Sequence, residues 1–313
     1  MKILLYVNSK QNLKKSKYLG GIEILNYDLH RFLNKNHFTI LTNSLSDKIL
    51  NIDWDIAISS NDANIFSLVK TKRKILWLHN KLQIEKAFRK KQLCSLLFNN
   101  IEAVFVSKYL NHKTSRLYGF KNRVVIPNFL SNIFEKQKDI KNLYSNRKRF
   151  VWSVQRDKGL DKVIELWINK INLTDTKTEL HIFAINRTHT EKLKKYNIFF
   201  HGKISRQKLL NFYKKSLGMI CLGYDETFCL NAIEGMKMGL PVISLGETAL
   251  KEIIIDKKNG YKVNNINDIH KAILNLIKLS LKQRKKISES SATFTKRYNS
   301  KFIFKKWDNF ISK

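Results

Sequence analysis

The stretch "YDETFCLNAIEGMKMGLPVIS", Tyr224 to Ser244, sets two carboxylates, Glu226 and Glu234, eight positions apart, and closes on a Gly-Leu-Pro turn and a second apolar run. Gly218–Leu222 ahead of it reads as a strand, the residues after Thr227 as a helix ending near Gly239, and Pro241–Ser244 as the next strand. Strand, helix and strand in that order form the crossover unit of a parallel sheet.

The same alternation extends in both directions. Lys2–Val7, Phe38–Thr42, Ile56–Ile58, Ile75–Leu78, Ala103–Val106 and Val124–Ile126 are candidate strands of a first half, and Phe150–Val154, Glu179–Phe183 and Ile198–Phe200 open a second. Between them Ser131–Arg149 is polar and charged with few apolar anchors, so it reads as an interdomain connection. A chain of 313 residues with 43% apolar content has length and core material for two domains. The fold class is α/β. At the far end Ile303, Trp307, Phe310 and Ile311 recur at helical spacing, a stripe that must pack on another surface.

Composition narrows the function classes. The chain carries 59 basic and 25 acidic residues, a net charge of +34, which attracts nucleic acid, an anionic membrane face or phosphorylated substrates. The basic residues are scattered, and no nucleic-acid motif stands out. The run "KTKRK" ending at Lys74 reads as a solvated face; "RKK" at Arg89–Lys91 reads the same way or, with Phe88 and Leu93 beside it, as a contact for anionic lipid. Three cysteines have no metal-ligand spacing and no disulfide framework, which fits a reducing cytoplasm. Ile3–Val7 is too short for a signal-peptide core, and no run approaches the roughly 20 apolar residues of a membrane span.

The chemistry-bearing groups follow from charge. Eight helical steps separate Glu226 from Glu234 by roughly 12 Å, a span suited to the hydroxyls at opposite ends of a nucleotide-sugar. The helix N-terminus at Phe228, Cys229 and Leu230 offers N–H groups to a phosphate. Carboxylates repel that phosphate, so a cation must answer it. "WSVQRDKGLDKVIELW" supplies Arg156 and Lys158 after a strand, with Gly159 turning the chain; a solvated charge pair is the plainer alternative. In "LGGIEILNYDLHRFL", Gly20 and Gly21 permit close backbone approach ahead of an amphipathic helix, or form a simple turn. Neither a dinucleotide G-x-G-x-x-G nor a phosphate-loop G-x-x-x-x-G-K-[ST] is present.

"ETFCLNAIEGMKMGLPVIS" resembles the E-x7-E signature of retaining glycosyltransferase family 4. Further pieces match in family order: "GGIEILNYDLHRFLNKNHFTILT", "LWLHN", "VFVSKYLNHKTSRLYG", "VVIPNFLSNIF", "RDKGLD" and "HGKISRQKLLNFYKKSLGMICLGYDETF". The resemblance implies a GT-B fold, two Rossmann-like domains with parallel sheets facing a central cleft. Residues 1–135 would form the acceptor-side domain, 149–298 the nucleotide-sugar domain, and 299–313 a helix packing back on the first. It places Glu226 near the donor sugar, Glu234 on the ribose, Arg156 and Lys158 on the diphosphate, His79 near the reacting sugar, and Gly20 and Gly21 by the phosphates. A His after an apolar strand is otherwise ordinarily structural. Cys229 and Phe129 stand where the family often has Gly.

The implied reaction moves a sugar from a nucleoside diphosphate, UDP by default, to a hydroxyl acceptor with retention, without metal or cofactor. The expected setting is surface polysaccharide, lipopolysaccharide or glycolipid synthesis, with a glycan or lipid-linked acceptor at the inner membrane face. A basic nucleic-acid binder and an inactive transferase-like scaffold are the alternatives.

Overall fold

A computed structural model describes residues 1–9, 20–137, 148–183 and 191–313. Most of the connection read over 131–149 falls on 138–147, outside the described residues. The chain divides into two compact units, Met1–Ser131 with Ser300–Lys313, and Asn132–Asn299.

The first unit is built on β1 (Lys2–Val7), β2 (Phe38–Thr42), β3 (Trp54–Ser60), β4 (Thr71–Leu78), β5 (Glu102–Phe105) and β6 (Asn122–Val125). They form one parallel sheet in the order β2-β1-β3-β4-β5-β6. Ile3, Leu4, Leu5 and Val7 are all buried, the continuous apolar run expected of a strand covered on both faces. Both β3 and β4 begin earlier than their apolar runs, because pairing runs from Trp54↔Thr71 to Ser60↔Trp77 and draws polar residues into the ladder.

That extension corrects the reading of "KTKRK" as a solvated face at Arg73, while Lys70 and Lys72 do stand exposed. Arg73 lies on β4, donates through Nε to Glu102 at 2.9 Å, and donates to the carbonyls of Ile311 at 2.7 Å and Phe310 at 3.2 Å. Those carbonyls end the terminal helix, Ser300–Ile311, where unpaired acceptors and the negative end of the dipole favour a cation. The helix buries Ile303, Trp307, Phe310 and Ile311. Trp307 meets Trp77 of β4 edge-on at 5.0 Å, and Phe304 packs against Phe32 at 4.6 Å and Phe129 at 4.7 Å. Phe129, where a glycine was the common form, is therefore a buried anchor for this helix.

The second unit holds β7 (Arg149–Trp152), β8 (Glu179–Ile182), β9 (Ile198–Phe200), β10 (Gly218–Ile220), β11 (Val242–Ser244) and β12 (Gly260–Lys262). These are parallel in the order β12-β11-β10-β7-β8-β9. β12 had no signature in the sequence, since "GYK" carries no apolar run. Its register on β11 defines it, and a side chain at Gly260 would overlap the Val242 carbonyl.

Trp307→Ala removes an indole with no exposed surface and is expected to cost about 3–5 kcal/mol, read as a lowered urea midpoint.

Candidate functional site

In the second sheet β7 and β10 are neighbours although far apart in sequence, and the strand order reverses between them. The carboxyl ends of strands at such a reversal form the crevice where open α/β sheets take ligands. The loops leaving these two strands carry Arg156, Lys158 and Glu226.

The two loops are joined directly. Lys158 Nζ donates to the Asp225 carbonyl at 3.0 Å, and Asn231 Nδ2 donates to the Ser153 carbonyl at 2.6 Å. Gly159 turns the chain with φ +100°, and a Cβ there would lie 2.7 Å from atoms of Leu222 and Tyr224 in the opposite loop. Glycine is thus required by both conformation and space. Arg156 is exposed and donates to Asp161 at 3.0 Å. Of the two expected cations, Lys158 lies on the Glu226 loop and Arg156 is turned to its own helix.

The Glu226 loop is tightly wound. Gly223, Asp225 and Cys229 all have positive φ, at 95°, 51° and 67°. Cys229 caps the helix Leu230–Lys237 in a left-handed conformation, so the helix begins at Leu230 and not directly after Thr227. Glu226 therefore sits in a loop, and eight helical steps do not describe its separation from Glu234. Cys229 adopts the geometry in which glycine carries no steric penalty. Its Sγ lies 3.4 Å from that of Cys221. Contact with Cys221 and burial both push the Cys229 thiol up, which keeps it protonated as a small packing group under the loop. Ligand atoms of Cys221, Glu226 and Cys229 all lie within 4.8 Å of one another, so these are the side chains here that could share a metal ion. Burial raises the Glu226 carboxyl above its ordinary value, opposed by the Lys158 charge.

Glu234 projects from the helix into the interior with no exposed surface. It is paired with Arg206, which opens the helix Arg206–Tyr213 and also lies over the Phe134 ring at 5.1 Å. Arg206 has no signature in the sequence. It is one cation among many in a basic chain, and only packing identifies it as the partner of a buried acid. A histidine pair on β8 and just after β9 was missed because strand pairing alone brings it together: His181 Nδ1 meets His201 Nε2 at 2.8 Å, and His201 stacks on Phe183 at 4.8 Å.

The remaining expected residues belong to the first unit. His79 follows β4, is 4% exposed, and tilts against Trp77 at 4.5 Å. Its backbone N–H donates to Asn61 Oδ1 at 2.8 Å, and burial pushes its ring down to about 3. The imidazole is neutral at physiological pH. Gly20 precedes the helix Gly21–Leu33; a Cβ at Gly20 would collide with the Glu23 carboxylate, which accepts from Ser9 Oγ at 2.8 Å.

The profile of the family described as glycosyl transferases group 1 matches residues 132–294, more than half of the chain, and the chain belongs to that family. It is 27% identical over 212 residues to an uncharacterized glycosyltransferase of Methanocaldococcus jannaschii, covering 64% of this chain and 56% of that protein. It is 25% identical over 190 residues to a 41.2 kDa protein in the cps region of Klebsiella pneumoniae, covering 57% and 52%. The chain spans about half the length of the curated relatives it matches. Sucrose-phosphate synthase from Thermosynechococcus elongatus superposes with a TM-score of 0.76 at 13% identity, covering 99% of this chain and 98% of that one. Anabaena HepE, solved in complex with UDP, gives 0.74 at 14% identity with both chains fully covered. The fold is GT-B, and family membership favours neither the nucleic-acid binder nor the inactive scaffold.

Gly159→Ala is expected to cost roughly 2–4 kcal/mol, whereas Gly119→Ala, at φ +60° with nothing within 4 Å, should cost only about 1 kcal/mol; paired thermal melts compare them. Glu226→Gln has a pH signature. The folded chain holds the Glu226 proton more tightly than the unfolded chain, so native stability falls as pH rises through the raised value. Gln cannot ionise, so the variant should melt with the native protein below about pH 4 and above it at about pH 7–8.

Proposed function

We propose that this chain is a retaining glycosyltransferase of family 4, moving a sugar from a nucleoside diphosphate sugar to a hydroxyl acceptor. The observation that carries the reading is the Lys158 ammonium held 3.0 Å from the Asp225 carbonyl, on the Glu226 loop, at the sheet's strand-order reversal. Cleavage of the sugar–phosphate bond leaves negative charge on the departing diphosphate and positive charge on the sugar ring. A preorganised cation beside the leaving group lowers the barrier because its orientation is set before reaction.

In this reading Lys158 takes the diphosphate, with the helix N-terminus at Phe228, Cys229 and Leu230 presenting backbone N–H groups to it. Arg156 joins if its Asp161 pair opens. These cations supply the charge that a divalent metal supplies in other transferases. Glu226 accepts from hydroxyls of the donor sugar, and Glu234 is the ribose-side acid. Because Glu234 is fully buried against Arg206, its role requires Arg206 to give way as the donor enters. The first unit is assigned the acceptor, with neutral His79 as a hydrogen-bonding group, while Gly20 and Gly21 are read as the positions that permit close backbone approach to the phosphates.

UDP is the default nucleotide, since HepE was solved with UDP, and the cps-region relative suits polysaccharide synthesis. A thermal-shift screen of nucleotide-sugars tests the reading. One donor should stabilise the native chain and lose its effect in Glu234→Ala. Turnover of that donor should persist in EDTA and fall about 100- to 1,000-fold in Lys158→Ala. If every nucleotide-sugar leaves the melting temperature unchanged, the donor assignment is wrong.

A further inference from the structure

We propose that the pair of short helices Ile84–Arg89 and Leu93–Phe98 is a docking surface for an anionic lipid bilayer. Four large apolar side chains on it face solvent: Ile84 is 57% exposed, Phe88 71%, Leu97 45% and Phe98 82%. Ile84 and Phe88 are four residues apart on one helix and share its outer face. Beneath them Ala87 and Leu96 are buried, so each helix spends its small inner face on the core and leaves its bulkiest groups outside.

The surface is held rather than loose. Between the helices Gln92 donates to Asp62 at 3.1 Å, and Asn64 donates to the Lys90 carbonyl at 3.0 Å. Ser67 and Ser95 hydroxyls meet at 3.0 Å, and Asn99 donates to Ser67 at 3.1 Å. The exposed rings are presented by a fixed scaffold, which lowers the ordering cost of inserting them.

Charge selects the occupant. Lys86, Arg89, Lys90 and Lys91 are exposed among these apolar groups, and the acid in the same stretch, Glu85, is answered by Arg89 at 3.6 Å. Cations interleaved with aromatic and aliphatic groups match a negatively charged headgroup layer above hydrocarbon. A second copy of a chain with net charge +34 is repelled. A nucleic acid would use the cations and rings, but Ile84 and Leu97 have no π-face for its bases. Among the described residues no helix is long and apolar enough to cross a membrane, so the contact is interfacial. It is independent of the transfer chemistry.

Co-sedimentation with vesicles of phosphatidylcholine alone, or mixed with phosphatidylglycerol, tests this. The full chain should bind the anionic vesicles and leave the neutral ones. Each near-surface cation contributes about fivefold, so Arg89→Glu/Lys90→Glu/Lys91→Glu should weaken binding by about 100-fold or more. Phe88→Ser/Phe98→Ser should weaken it by about tenfold and abolish what survives in high salt. Lys282→Glu/Lys285→Glu/Lys286→Glu, a change of equal charge on another helix, should have a much smaller effect.

A gain-of-signal variant covers any loss of folding. All five native tryptophans are buried, so Phe98→Trp adds an accessible reporter whose emission should shift blue on anionic vesicles and be quenched by brominated lipid. Absence of binding to anionic vesicles at low salt overturns the proposal. So do an equal loss in the remote triple variant, undiminished binding by the Phe88/Phe98 variant, or an unshifted Phe98→Trp spectrum.

Discussion

The contact between the Lys158 ammonium and the Asp225 carbonyl joins two loops that the chain separates by 67 positions. Everything proposed for donor binding depends on it. Without the contact, Lys158 is one more solvated cation and Glu226 one more loop acid. With it, a positive charge and a half-buried carboxyl share the carboxyl edge of β7 and β10. Gly159 makes the approach possible, because its missing side chain is the space that Leu222 and Tyr224 fill.

A basic chain does not automatically have cations to spare for a substrate. Arg73 is committed to Glu102 and to the end of the terminal helix, Arg156 to Asp161, and Arg206 to Glu234. Each pairing lowers the desolvation cost of a charge near or inside the protein. Lys158 differs in that its partner is a neutral carbonyl, so its full charge is still available to a diphosphate. The charge that matters is therefore local, and the total of +34 bears more directly on surfaces such as the one around Phe88 and Lys90.

Burial divides the acids in the same way. Glu226 is half-buried on a strained loop, with its carboxyl raised by desolvation. Glu234 is fully enclosed and kept by Arg206. Two glutamates that look equivalent on paper are thus held in opposite ways, one by a wound backbone and one by an ion pair.

The strands were legible because apolar runs of four to six residues between polar segments leave few alternatives, and β1, β2 and β9 have the ends their runs suggest. The order of the motifs in the second half was legible too, since a Gly after Lys158 and a Pro at 241 punctuate the chain wherever it folds. β12 was not, because it exists only by pairing with β11. The start of the Leu230–Lys237 helix was displaced by the left-handed Cys229, a conformation that a glycine announces and a cysteine does not. Arg206 and the inward Arg73 were invisible for a common reason: a sequence records that a side chain is charged, whereas its partner is chosen by which elements the sheets bring side by side. Local patterning, carried by neighbours in the chain, determined the α/β alternation; the pairing of charges, carried by residues far apart in it, was decided only when the sheets assembled.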